Sequence, residues 1–236
     1  MARKPYRSTA LPDYMPAAAE KSRRAPVSHV PDPSGIISPR EISHLALGTS
    51  NFEAVAKWWQ TVIGAVPSLD AEGMRFITIG HEHHNVVIFE MKQLKRRSGP
   101  GLEQCGMHHI AWTYDSFEDL AQTYKRLKAE GILPFRALNH GTSFAIDYYD
   151  PDFNNCELQC DCFPDPLKKG LNEWLATGAF NRNPIGVLFD FEEAIARFER
   201  GEDVWEVVSP FTMRVGDHTE DEARAAASRR DPPKKD

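Results

Sequence analysis

The sequence predicts an α+β fold built from one βαβββ unit written twice. Three observations predict it. Segments of alternating polarity are interrupted by two helical stretches with apolar stripes, and the strand–helix order starts again after a Gly99-Pro100-Gly101 break. A histidine also opens the first strand of each repeat, His44 before Leu45-Ala46-Leu47 and His109 before Ile110-Ala111-Trp112.

Taken in order, EISHLALG (41–48) alternates as a half-buried strand. NFEAVAKWWQTVIG (51–64) aligns Phe52, Val55, Ala56, Trp59, Val62 and Ile63 on one helical stripe, with Asn51 as N-cap and Gly64 as stop. MRFITIG and NVVIFEM form a hairpin pair around the polar turn HEHH, which reads as a solvated or substrate-entrance loop rather than a metal cluster. In the second repeat MHHIAWTY is a strand, and SFEDLAQTYKRLKAEG is a helix aligning Phe117, Leu120, Tyr124 and Leu127. ILPFRAL, FAIDYYD and NNCELQCD supply three further strands.

The 236 residues are 41% hydrophobic and 26% charged, ordinary for a globular chain with a real core. A formal charge of −6 argues against nucleic acid as partner, and no apolar run approaches the roughly 20 residues of a membrane span. The opening MARKPYRSTALPDYMP has no secretory apolar stretch, so a cytoplasmic protein with reduced thiols is expected. Cys105, Cys156, Cys160 and Cys162 are too few and too clustered for a disulfide framework and lack zinc-site spacing. Cys156 and Cys160 share a face with Leu158 and read as buried thiols. Residues 1–40, with seven of the 17 prolines, read as an extended arm. Residues 41–162 form the domain, as modules 41–98 and 102–162, followed by a helical or loop appendix over 163–215. Residues 216–236 hold no Leu, Ile, Val or Phe and read as a charged flexible tail with a frayed helix near 220–229.

Neighbouring side chains on a strand face opposite ways. Leu45, Leu47, Ile110 and Trp112 therefore cover the helix side, while His44 and His109 face away. In NNCELQCD the same alternation turns Leu158 toward the helices and Glu157 away from them. His44, His109 and Glu157 thus form a 2-His-1-carboxylate set, the ligand chemistry of a non-haem Fe(II) site with open positions. A lone strand histidine is usually just hydrogen-bonded, and it is the matched placement that singles these out. His108 faces the other way and reads as packing or as support for His109. Trp58 and Trp59 read as helix packing.

These elements resemble the vicinal oxygen chelate superfamily, the glyoxalase/bleomycin-resistance/extradiol-dioxygenase fold. The resemblance rests on H-L-A-L at His44, H-H-I-A-W at 108–112 and D-P-D-F-N-N-C-E-L at 150–158. Residues 139–152, N-H-G-T-S-F-A-I-D-Y-Y-D-P-D, resemble the signature region of type I extradiol ring-cleavage dioxygenases. N-P-I-G-V-L-F-D (183–190) resembles an appendix of the single-module-pair members. The resemblance implies paired modules closing a cupped sheet around a divalent metal, Fe(II) on His44, His109 and Glu157. It further implies His140 as acid/base, an aromatic diol and O₂ as substrates, and a homo-oligomer. The family's substrate-binding tyrosine falls at Asp147, with Tyr148 beside it, so either a local bulge brings Tyr148 round or Asp147 does different work. An ionised Asp147 would repel a diolate unless it faced solvent or were held by a cation. Phe153 stands where a glycine is common. Trp112, Phe135, Phe144, Tyr148 and Phe153 are expected near the cup, suiting an aromatic ring. The competing readings are a glyoxalase-like lyase or isomerase, with Glu90 near the place of a fourth ligand, and a non-catalytic small-molecule binder.

Overall fold

A computed structural model describes residues 39, 42–80, 82–100, 105–162, 169–176, 178, 180 and 185–202. The expected arm apart from residue 39, residues 163–168, 177, 179, 181–184 and 203–215 of the expected appendix, the charged tail with its frayed helix, and His81 lie outside the described residues. The chain divides into two units, one ending at Arg96 and one beginning at Arg97.

The first unit contains β1 (Leu45–Thr49), α1 (Phe52–Ile63), β2 (Val66–Ala71), β3 (Met74–Thr78) and β4 (Val86–Glu90). Its sheet runs β1-β4-β3-β2, with β1 and β4 parallel and the other pairs antiparallel. β2 was not legible as a strand: VPSLDA carries a proline and only two large apolar residues, and its ladder slips between Pro67 and Leu69. Its presence completes the βαβββ order. Val55, Ala56, Trp59, Val62 and Ile63 of α1 are buried, and α1 packs against β4. Gly64 ends the helix at φ 66°, a left-handed conformation that costs glycine nothing, and its N–H donates to the Gln60 carbonyl. Asn51 occupies the N-cap position, but its side chain makes no capping bond. Its own N–H donates to Thr49 Oγ1 at 2.8 Å instead.

The second unit contains β5 (Ile110–Tyr114), α2 (Phe117–Ala129), β6 (Arg136–Asn139), β7 (Ser143–Tyr149) and β8 (Asn155–Asp161). α3 (Lys169–Ala176), β9 (Val187–Leu188) and α4 (Phe191–Glu199) follow. The sheet order is β5-β8-β7-β6-β9, so the second unit repeats the first and adds one strand at its edge. Ser116 caps α2 by accepting the Asp119 N–H at 3.1 Å. Phe117, Leu120, Tyr124 and Leu127 are buried as the helical period requires, and α2 packs on β5 and β8. α4 adds Phe191 to this core, 5.6 Å from the Phe117 ring and 5.1 Å from that of Tyr124. No helix among the described residues is long and apolar enough to cross a membrane.

The helix-facing side of β7 and β8 pairs Phe144 with Cys160, Ile146 with Leu158, and Tyr148 with Cys156, all buried. Burial pushes the Cys156 thiol well above its ordinary value and the Cys160 thiol up to about 12, and Cys162 is buried as well. Cys105 is exposed. A thiolate-selective disulfide reagent at pH 8 should therefore titrate Cys105 promptly in the native protein and all four cysteines after denaturation. Rapid native reaction at Cys156 or Cys160 would contradict this packing.

Candidate active site

The opposite face of the second sheet gathers the charged residues. Three strand pairings put them there through register alone. β7 and β8 pair Asp147 with Glu157, β6 and β7 pair Arg136 with Asp147, and β5 and β8 pair Ala111 with Glu157, two residues beyond His109. Directly paired residues point the same way. Arg136, Asp147, Glu157 and His109 therefore share one face, and His140 follows at the end of β6.

His109 Nε2 lies 3.7 Å from Glu157 Oε2. Burial, with the charge of Asp147 adding to it, pushes the Glu157 carboxyl up to about 7. Burial also holds the imidazoles of His109 and His140 below their ordinary value, so both are neutral at pH 7. A neutral imidazole is the form that ligates a metal or accepts a proton. His108 is exposed, and its Nδ1 is 2.7 Å from Nδ1 of His109, which suits a supporting role.

Asp147 is fully buried, and Arg136 grips it with Nε at 2.8 Å and Nη2 at 3.2 Å. This two-pronged geometry is the strong form of an Arg–carboxylate pair. The cation needed to hold Asp147 is therefore Arg136, which the sequence reading did not single out. The available signal was the shared strand face of Arg136 and Asp147, but it needs the β6–β7 register, which the sequence does not state. Tyr148 stands one residue along a ladder with no bulge, so it faces α2, with Tyr124 and Arg126 among its electrostatic neighbours. Its hydroxyl is buried without a hydrogen-bond partner among the described residues.

The aromatic residues expected at the cup are redistributed in the same way. Phe144 packs on Phe117 of α2, Tyr148 on the same side, and Trp112 reaches Cys156 on the helix face. On the charged face the aromatic surface is Tyr149, stacked on Phe135 at 4.0 Å and 6°, with Phe153 edge-on at 6.2 Å. Tyr149, Phe153, His108, Asn155 and Arg97 line an open cleft of about 310 Å³, solvent included. Phe153 adopts φ 63°, the left-handed region a glycine would favour, inside a turn tied down by Asp150. The Asp150 carboxylate accepts the Asp152 N–H at 2.9 Å and the Asn154 N–H at 2.8 Å. That turn launches β8 and so fixes where Glu157 falls.

The first unit has the same frame with different chemistry. His44 precedes β1 as His109 precedes β5, and Ala46, two residues on, pairs with Val87. Val87 is thus the counterpart of Glu157, Phe76 that of Asp147, and Leu69 that of Arg136. Glu90, expected near the place of a fourth ligand, lies three residues past Val87. It is therefore on the opposite face, 3.4 Å from Lys92 Nζ. His84 of the HEHH turn is buried rather than solvated, its ring 4.6 Å from that of His44 and 4.3 Å from that of Phe76. His83 is exposed. Among the described residues no group of three or more His, Cys, Asp or Glu side chains is arranged to hold a metal ion.

Replacing Arg136 by Met should strand the buried Asp147 charge and cost about 3–5 kcal/mol, read as a lower urea midpoint. The double variant Arg136→Met/Asp147→Leu should recover most of that loss. Equal destabilisation in the single and double variants would mean that the pair is not what Arg136 contributes.

The family described as the Glyoxalase/Bleomycin resistance protein/Dioxygenase superfamily matches residues 41–158. Biphenyl-2,3-diol 1,2-dioxygenase 2 of Rhodococcus globerulus is 37% identical over 150 residues, spanning 64% of this chain and 77% of that protein. Biphenyl-2,3-diol 1,2-dioxygenase 3 of the same organism is 33% identical over 159 residues, spanning 65% and 79%. Among solved structures, a glyoxalase/dioxygenase from Nostoc punctiforme aligns with TM-score 0.44 at 17% identity, covering 53% of this chain and 96% of that one. The family match over residues 41–158 and the two Rhodococcus globerulus relatives agree with the duplicated βαβββ frame and its matched histidines: the chain belongs to the glyoxalase/bleomycin-resistance/dioxygenase superfamily.

Proposed function

We propose that this protein is an Fe(II)-dependent extradiol dioxygenase that cleaves a catechol-type ring with O₂, next to rather than between the two hydroxyl carbons. The observation that carries the reading is the contrast at matched register positions, Glu157 in one unit and Val87 in the other. That contrast supports a donor set of two histidines and one carboxylate, His44, His109 and Glu157, which would leave positions for substrate and O₂. A glyoxalase-like enzyme would want a fourth donor, and the residue at its place is apolar. The two relatives named for biphenyl-2,3-diol support an aromatic diol.

The donor set of the second unit suits a divalent cation. His109 is neutral, and a carboxyl pushed up to about 7 by burial regains its charge when a cation offsets the missing hydration. When bound, a divalent metal would supply positive charge that favours deprotonation of the diol. The chain's own groups do the rest. His140, kept neutral by burial, accepts a proton from a diol hydroxyl and returns it as the ring opens. Arg136 neutralises Asp147, so the face that receives the diol carries no unpaired anion to repel it. Asp147, through Arg136, serves to position the substrate, and Tyr148, turned toward α2, stays outside these roles. The Phe135–Tyr149 stack offers a flat apolar wall for the ring. A cytoplasmic homo-oligomer completes the reading, and the free thiols of Cys105, Cys156, Cys160 and Cys162 support a reducing compartment.

Anaerobically purified protein loaded with Fe(II) should turn a catechol panel, biphenyl-2,3-diol included, into yellow ring-fission products. His109→Ala and Glu157→Ala should lose the iron, whereas Glu90→Gln should keep it. Retention of iron in Glu157→Ala together with its loss in Glu90→Gln would favour the glyoxalase-like reading. His140→Ala should lower turnover by about 10²–10⁴ with iron intact, and activity equal to wild type would remove His140 from the mechanism.

A further inference from the structure

We infer that β9 is a strap that holds the His140 imidazole in its working orientation, and that Gly186 is the residue whose missing side chain lets the strap come close enough to do so. The inference rests on the reading of His140 as the acid/base group.

β9 lies antiparallel on β6, pairing Leu188 with Leu138 and Val187 with Asn139. The chain therefore enters the strap beside the last residue of β6, where His140 follows. The His140 side chain hydrogen-bonds the Ile185 backbone, whose carbonyl accepts from the ring N–H. Gly186, next along, has φ 96°. A Cβ there would press on the Asn139 carbonyl and sit 2.9 Å from His140 Cα, a clash with backbone that no rotamer can relieve. Any side chain at 186 must push the strap off His140.

The backbone around His140 is pinned independently. Its N–H donates to the Ser143 carbonyl at 2.9 Å, and the Gly141 N–H donates to Asn139 Oδ1 at 2.8 Å. With the backbone fixed, only the ring torsions remain free, and the Ile185 carbonyl removes that freedom. Committing one ring N–H to a carbonyl also selects the tautomer and leaves the other nitrogen as the proton acceptor. The strap is itself anchored away from the charged face. The Phe189 N–H donates to the Ala137 carbonyl at 3.3 Å, and the Phe189 ring packs 6.3 Å from Phe144 and 5.8 Å from Phe191. Asp190 then caps α4 by accepting the N–H groups of Glu192 and Glu193. Ile185, Gly186 and Phe189 are thus positioning residues acting through His140.

Three variants of the full, iron-loaded chain separate this role from general stability. Gly186→Ala introduces the clash, Phe189→Ala loosens the anchor without touching His140, and Gly201→Ala is a control. Gly201 has a comparable φ of 86° but nothing within 4 Å of an added Cβ. Each is assayed for iron content, kcat and KM, and for carbethoxylation of His140 by diethyl pyrocarbonate, located by peptide mapping. Gly186→Ala should lower kcat by about 10-fold or more, part of what a positioned acid/base group supplies, with iron content and KM nearly unchanged. His140 should carbethoxylate several-fold faster, Phe189→Ala should fall between, and Gly201→Ala should match wild type. Unchanged His140 reactivity in both strap variants, or an equal effect from Gly201→Ala, would overturn the inference. If Gly186→Ala does not fold, Phe189→Ala decides it. Should the wild type cleave no catechol, the acid/base reading fails, while His140 reactivity still decides the strap.

Discussion

Everything at the charged face depends on the register of β7 against β8, because side chains on a strand alternate with a period of two. With Asp147 opposite Glu157, the even-numbered residues of β7 and of β8 turn their sulfur, aliphatic and aromatic groups to α2, and the odd-numbered ones face away. A slip of one residue would bury Glu157 under the helices and turn Cys156 and Tyr148 outward. That slip is blocked from both ends. Ile146 and Leu158 are fully buried opposite each other, and the Asp150 turn joins the two strands with its carboxylate holding the backbone of Asp152 and Asn154.

The cost of collecting charge on this face is visible in its partners. Glu157 is desolvated and has Asp147 directly across the ladder, which is why its carboxyl is pushed up to about 7. Asp147 is bound on its other side by Arg136 through two nitrogens. One carboxylate is thereby paired with a guanidinium, while the other lies 3.7 Å from the His109 imidazole. Two chemically similar groups, adjacent on one face, are separated in role by a single guanidinium.

The two units share a frame and differ in filling. Val87, Phe76 and Leu69 in the first stand where Glu157, Asp147 and Arg136 stand in the second, while His44 and His109 match. The second unit also extends its sheet with β9, and that extra strand is what reaches His140. Duplicated backbone with divergent side chains thus gives the second unit a charged face where the first carries Val87, Phe76 and Leu69.

The sequence by itself determined the α+β class, the repeat, both main helices and the face on which His109 and Glu157 lie, because hydrophobic period and strand alternation are local properties. It also marked Cys156 and Cys160 as buried, and the family resemblance marked Phe153 as a residue in a glycine's place. Tertiary structure decided what depends on which strand pairs with which. The β4 register moved the counterpart of Glu157 from the neighbourhood of Glu90 to Val87. The β6–β7 register made Arg136 the partner of Asp147, and the unbroken β7–β8 ladder left Tyr148 facing α2. β2 was hidden by its proline and bulge, His84 by its burial in a turn that composition marks as polar, and the strap by the 44 residues between His140 and Ile185. Contacts between residues far apart in the chain leave no periodic signal, since each is set by the packing of elements rather than by its neighbours in sequence.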